Sequence, residues 1–156
     1  MRARPLLFGI VVGAALSGCK GKPPSKAETI LVWGWKHHLS IGGKKNRNPL
    51  QAAPQAIADG KQAFSYYCAA CHGLDGQNTG VPFAGRMSPP APSLASKNVQ
   101  QYTDGQLKWI IDNGIWPSGM PGSSGTLTND EIWSIVVYIR HLPKAGSLGD
   151  PPMYSQ

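Results

Sequence analysis

Charge is scarce in this chain of 156 residues: 15 Lys and Arg and 8 Asp and Glu leave long stretches with none. The balance is basic, +7 at pH 7, yet the basic residues are scattered, with only a modest concentration from Lys36 to Arg47. Basic residues interleaved with aromatics are absent from the globular part, which excludes a nucleic-acid surface as the reason for the charge. No apolar run spans a bilayer comfortably, since the longest, Leu6 to Leu16, is too short. Internal repeats are missing, and so is the βαβ alternation of a thioredoxin-like chain. There are only three cysteines, an odd number that no closed disulfide framework uses. Abundant in their place are 19 Gly and 14 Pro, which predict long loops and few helices. The length suits one domain with appendages.

Two of the cysteines stand in Cys68-Ala69-Ala70-Cys71-His72, followed by Gly73. Cys-x-x-Cys-His is the attachment signature of a c-type haem. Residues at i, i+3 and i+4 share one helix face. The thiols of Cys68 and Cys71 are therefore placed to form thioethers with the haem vinyl groups, and His72 to present an imidazole nitrogen to the iron. A redox dithiol or half a zinc site would use the same Cys-x-x-Cys. Zinc would need two more ligands, drawn from Cys19, His37, His38 and His141.

The third cysteine has its own context. Met1-Arg2-Ala3-Arg4 is a basic start, Leu6 to Leu16 an apolar core, and Leu16-Ser17-Gly18-Cys19 resembles the bacterial lipobox. That resemblance implies removal of residues 1–18, lipidation of Cys19 and an exported, membrane-anchored protein facing the periplasm. An ordinary signal peptide would leave Cys19 a free thiol. Loss of Arg2 and Arg4 lowers the charge from +7 to +5. Residues 20–29 read as a Pro- and Lys-rich tether, with Lys20, Lys22 and Lys26 near anionic headgroups or simply solvated. Ile30 to Trp35 is a short apolar, partly β-like run containing Trp33 and Trp35. His37 and His38 follow, and neighbouring histidines point apart, so this extension (residues 19–53 with the anchor) reads as packing or docking rather than ligation. Residues 41–48 read as loop.

The compact domain is expected over 54–143. Pro54 suits a first helical turn, and Ile57, Gly60, Phe64, Tyr67 and Cys68 make a helical stripe leading into the haem motif. From Gly73 to Val99 no period survives; a loop that long needs something to wrap. Thr103-x-x-Gln106 and Thr128-x-x-Glu131 are capping-box arrangements. Leu107, Ile110 and Ile111 follow the first, ending at Asn113-Gly114. Ile132, Ile135, Val136 and Ile139 follow the second, and Pro143 stops that helix. The tail, 144–156, reads as extended or disordered. Candidates for the second axial position are Met87 and Met120, both in loops.

The order helix, CxxCH, Gly/Pro loop, helix, Met-Pro loop, capped helix resembles a monohaem class I cytochrome c. The resemblance implies an all-α fold, with about three main helices and long Gly/Pro loops around one covalent haem c. It implies Met120 as distal ligand, with Met87 second, and Pro92-Ser93-Leu94 on the proximal side, the Pro92 carbonyl accepting the other ring proton of His72. It implies Gly60 and Phe64 crossing closely against Tyr138. The function implied is membrane-tethered transfer of single electrons between redox partner proteins in or on the membrane, as part of a respiratory chain. No small-molecule substrate and no enzymatic turnover are expected. A fixed subunit of a respiratory oxidoreductase complex is the alternative, and a haem peroxidase or gas sensor a more distant one. Lys61, Arg86, Lys97 and Lys108 are candidate docking charges.

Overall fold

The computed structural model describes residues 25–35, 40–116 and 118–155. The chain divides at Gly34 and Trp35, and the two parts are taken separately. The lipobox, Cys19, Lys20, Lys22, His37 and His38 lie outside the described residues, as does the side chain of Trp33.

The first part carries helix α1, Lys26–Trp35, where the sequence suggested a tether running into a β-like strand. The reason for the difference is local. The Ser25 amide donates to Glu28 at 2.7 Å and the Glu28 amide to the Ser25 hydroxyl at 3.3 Å, a reciprocal cap that starts a helix. Ile30, Leu31, Val32 and Trp35 are all exposed.

The second part is built on α2, Pro54–Tyr67, and α6, Asn129–Arg140, which cross closely. Pro54 opens α2, where a missing N–H costs nothing. At the crossing, a Cβ on Gly60 would lie 2.0 Å from the Ser134 carbonyl oxygen, so only glycine permits this approach. One turn later the rings of Phe64 and Tyr138 meet at 5.3 Å, tilted by 59°. Helix α6 is buried without a break from Ile132 to Ile139, a wider face than the i, i+3, i+4 stripe alone required.

Between them lie the one-turn α3, Ala69–His72, a 3-10 turn Ala84–Arg86, the short α4, Lys97–Gln100, and α5, Asp104–Asn113. Both expected capping boxes form, Thr103 with Gln106 and Thr128 with Glu131. Leu107, Ile110 and Ile111 are buried. No strand occurs among the described residues, only the isolated bridges Ile115–Met120 and Ser124–Leu127. The fold is thus the expected small all-α one, with its loops as long as the glycine and proline content predicted.

Two stretches are more ordered than the sequence suggested. In the 41–48 loop, Asn48 donates to the Trp133 carbonyl at 3.0 Å, and Lys44 accepts from the Thr103 hydroxyl at 3.3 Å. The tail is a run of turns, with Pro151 fully buried and Tyr154 donating to the Ala70 carbonyl at 3.0 Å. That corrects the extended or disordered reading of 144–156. Partners some 70 residues away hold it, and no local pattern announces them.

Candidate functional site

Helix α2 runs straight into the cysteine motif. Cys68 is its last hinge, its amide donating to the Phe64 carbonyl at 2.9 Å, and its own carbonyl then accepts from Cys71 at 3.1 Å and His72 at 2.9 Å. One turn therefore carries Cys68, Cys71 and His72. Gly73, with φ 73°, breaks the helix in a conformation that other residues adopt only at a cost. Both thiols are free and half-buried. Burial, reinforced by Cys71, pushes the Cys68 thiol up to about 12. A redox dithiol needs the opposite, a thiolate favoured near neutrality.

His72 is held from behind. Burial pushes its imidazole below the ordinary value, and Nδ1 is buried without a hydrogen-bond partner. The backbone carbonyl of Pro92 opposes that shift, which places it near the ring. A buried nitrogen left without a partner is costly. Asn78 sets this up, a residue the sequence reading passed over. It takes φ 64°, donates its amide to the His72 carbonyl at 2.7 Å and its side chain to the Ala91 carbonyl at 2.9 Å. It so ties the histidine to the segment containing Pro92. The signal available was only that Asn tolerates left-handed backbone.

Leu94 packs on the same core cluster as Cys68 and Met120. Gln100 holds it there, donating from its side chain to the Leu94 carbonyl at 2.8 Å and the Ile139 carbonyl at 3.0 Å. Met120 sits half-buried in a tight turn: its carbonyl accepts from Ile115 at 3.1 Å, and its amide donates to the Ser118 hydroxyl at 3.3 Å. Met87 reaches the same turn, because a Cβ on Gly119 would lie 2.9 Å from its methyl carbon. Cys68, Leu94 and Met120 thus all pack against the same core, with His72 directly after Cys71.

The remaining candidates stay apart. His141 bonds the Val137 carbonyl at 2.8 Å, and no three His, Cys, Asp or Glu among the described residues form a metal-binding group. A zinc site at Cys68 and Cys71 therefore has no further ligands there. Lys108 pairs with Asp112 at 2.5 Å and lies over the Trp133 ring at 5.7 Å, which removes it from the free docking charges; Lys61, Arg86 and Lys97 are exposed. No described helix is long and apolar enough to cross a membrane.

The donor set fits a covalent haem: two thiols and an imidazole from one turn, a buried ring nitrogen without a partner, and a thioether in a loop packed on the same core. Comparison with known proteins agrees. Residues 55–139 match the family described as cytochrome C oxidase, cbb3-type, subunit III. Cytochrome c6 of Tetradesmus obliquus is 32% identical over 88 residues, covering 53% of this chain and 86% of its own. Thiosulfate dehydrogenase of Stutzerimonas stutzeri (strain A1501) is 26% identical over 141 residues, 83% of this chain and 45% of its own. Quinohemoprotein alcohol dehydrogenase ADH IIB of Pseudomonas putida is 28% identical over 91 residues, 58% of this chain and 12% of its own. The chain thus spans under half the length of those two dehydrogenases.

Proposed function

The chain belongs to the cytochrome c family, with its covalent haem c and haem-based electron transfer, and from that premise we propose that Cys68 and Cys71 bind the haem, His72 and Met120 take the axial positions, and Cys19 tethers the protein to a membrane. The haem, when bound, supplies an iron that accepts and releases one electron at a time. The rest of the task falls to the chain. Cys68 and Cys71 make the attachment permanent, which a domain this small needs because packing alone secures little. With a haem bound, His72 would donate its Nδ1 proton to the Pro92 carbonyl, which would fix the ring's orientation and raise its basicity. Leu94, packed on the core, would help screen a bound haem from water. Met120 would supply a thioether to the iron, which would raise the reduction potential and discourage oxygen chemistry.

One observation carries this reading: Cys68, Cys71 and His72 share a single turn, and the histidine is buried with the Pro92 carbonyl near its ring. The test is a denaturing gel of protein made in a host with a working haem-maturation system. Colour that stays with the polypeptide, and is lost in Cys68→Ala combined with Cys71→Ala, is the expected result. Haem that washes out of the unaltered chain would overturn the assignment.

On this reading the protein is a carrier, exported and facing the periplasm, that passes electrons between partner proteins and turns over no substrate. A fixed subunit of a respiratory complex is the second reading. It is favoured by the description of the matching family and by relatives in which the similar stretch is part of a longer protein. Mild detergent extraction followed by sizing separates the two: migration alone supports the carrier, and stable co-migration with membrane subunits supports the complex.

A further inference from the structure

The family match ends at residue 139, yet the chain beyond it folds back onto the haem motif. The Pro143 carbonyl accepts from the Gln77 side chain at 2.8 Å. The Gly146 amide donates to Asp75 at 2.7 Å. A Cβ on Gly80 would lie 2.5 Å from Cγ of Asp150. The Tyr154 ring meets Phe83 edge-on at 5.9 Å, and its hydroxyl donates to the Ala70 carbonyl at 3.0 Å. Ala70 lies between the two motif cysteines.

Asp75 is the centre of these ties. It is 0% exposed and takes part in neither ion pair found among the described residues. A buried carboxylate is costly unless hydrogen bonds replace its water, and this one has them. One oxygen accepts from the Gln77 amide at 2.8 Å, and the other from the Thr79 hydroxyl at 2.5 Å and the Gly146 amide at 2.7 Å. The same side chain therefore closes the loop after His72 and holds the returning tail. It also curls back toward the motif, since a Cβ on Gly73 would lie 3.1 Å from Oδ1.

We propose that residues 143–154 are a strap that positions the haem-bearing turn 68–72, with Asp75 as its buckle and Tyr154 as its pin. The inference rests on the assignment of Cys68, Cys71 and His72 to the haem. The physical need is plain. Helix α3 has 4 residues, far too few to be stable by itself, and Gly73 frees the chain directly after the ligand. Helix α2 holds the start of the turn through the Cys68 amide and Asn78 bonds the His72 carbonyl; the strap adds bonds at Ala70 and at the loop leaving His72. Asp75 has a second effect. Its negative charge, with Oδ1 3.1 Å from where a Cβ on Gly73 would stand, would favour the more positive ferric state of a bound haem and so lower the reduction potential.

The test uses the full, haem-loaded chain. Tyr154→Phe keeps the ring against Phe83 and removes only the bond to Ala70; Asp75→Asn keeps the volume and removes the charge. Amide exchange at Cys71, His72 and Gly73 is expected to rise about fivefold in Tyr154→Phe, the loss of one hydrogen bond, and further in Asp75→Asn. Exchange at Ile110 and Ile111 in α5 should stay as it was. Redox titration should give a raised potential for Asp75→Asn. Unchanged exchange at the turn in Tyr154→Phe overturns the strap, and an unchanged potential in Asp75→Asn overturns the charge effect. If Asp75→Asn does not take up haem, Tyr154→Phe still decides. A colourless unaltered protein would instead sink the haem assignment, a failure visible before either variant is made.

Discussion

At the scale of single residues, His72 and Met120 decide how a haem iron is held. His72 Nδ1 is buried and unpaired, and the Met120 thioether sits in a turn held by Ser118 and Ile115. Met120→Ala should lower the reduction potential and open the iron to added ligands; redox titration and imidazole binding check both, and an unchanged spectrum would exclude Met120 from ligation. Asp75 makes a separate prediction about acid. Burial pushes its pKa up, but the bonds from Thr79, Gly146 and Gln77 outweigh this and hold it below the ordinary 3.8. A carboxyl lowered on folding contributes stability in full above 3.8; that contribution is lost as pH falls through the folded-state value. Asp75→Asn should therefore lower the urea midpoint at neutral pH and narrow its gap to the parent below pH 3.8. A gap of constant size at both pH values would mean the charge is not what stabilises.

At the scale of elements, the molecule depends on one helix crossing. Gly60 lets α2 approach Ser134 on α6, where an added methyl would meet a backbone oxygen at 2.0 Å. Gly60→Ala should cost about 2 kcal/mol or more, read from denaturant unfolding, because neither backbone can yield without parting Phe64 from Tyr138. A variant within ~0.5 kcal/mol of the parent would show that the crossing is looser than it looks. Much at this scale was legible in the sequence. Capping boxes at Thr103 and Thr128, the stripe from Ile132 to Ile139 and the glycine on α2 are local patterns with local causes. Helix α1 was missed because the Ser25 and Glu28 cap lies inside a Pro- and Lys-rich stretch that reads as a tether, and the β-branched and aromatic residues at 30–35 read as partly β-like. The strap was missed for a different reason. The bonds from Gly146 to Asp75 and from Tyr154 to Ala70 join residues far apart in the chain, and nothing in 144–156 itself encodes them. Among site residues the motif was plain, whereas Asn78 acts through a left-handed backbone that its neighbours do not signal.

At the scale of the whole molecule, the proposed reading joins a small haem domain to an N-terminal extension that starts at the lipobox-like Cys19. Cys19→Ser should move the protein from the membrane fraction to the soluble fraction with its haem content intact, since one acyl-bearing residue supplies the hold. Persistent membrane association of that variant would point to the extension, with its exposed Ile30, Leu31 and Trp35, as the anchor.

The most direct measurement is the absorption spectrum of the reduced, purified protein with and without carbon monoxide. The account predicts a haem c spectrum that carbon monoxide leaves unchanged, because His72 and Met120 fill both axial positions. A colourless protein, or one whose spectrum converts at once on adding the gas, would contradict it.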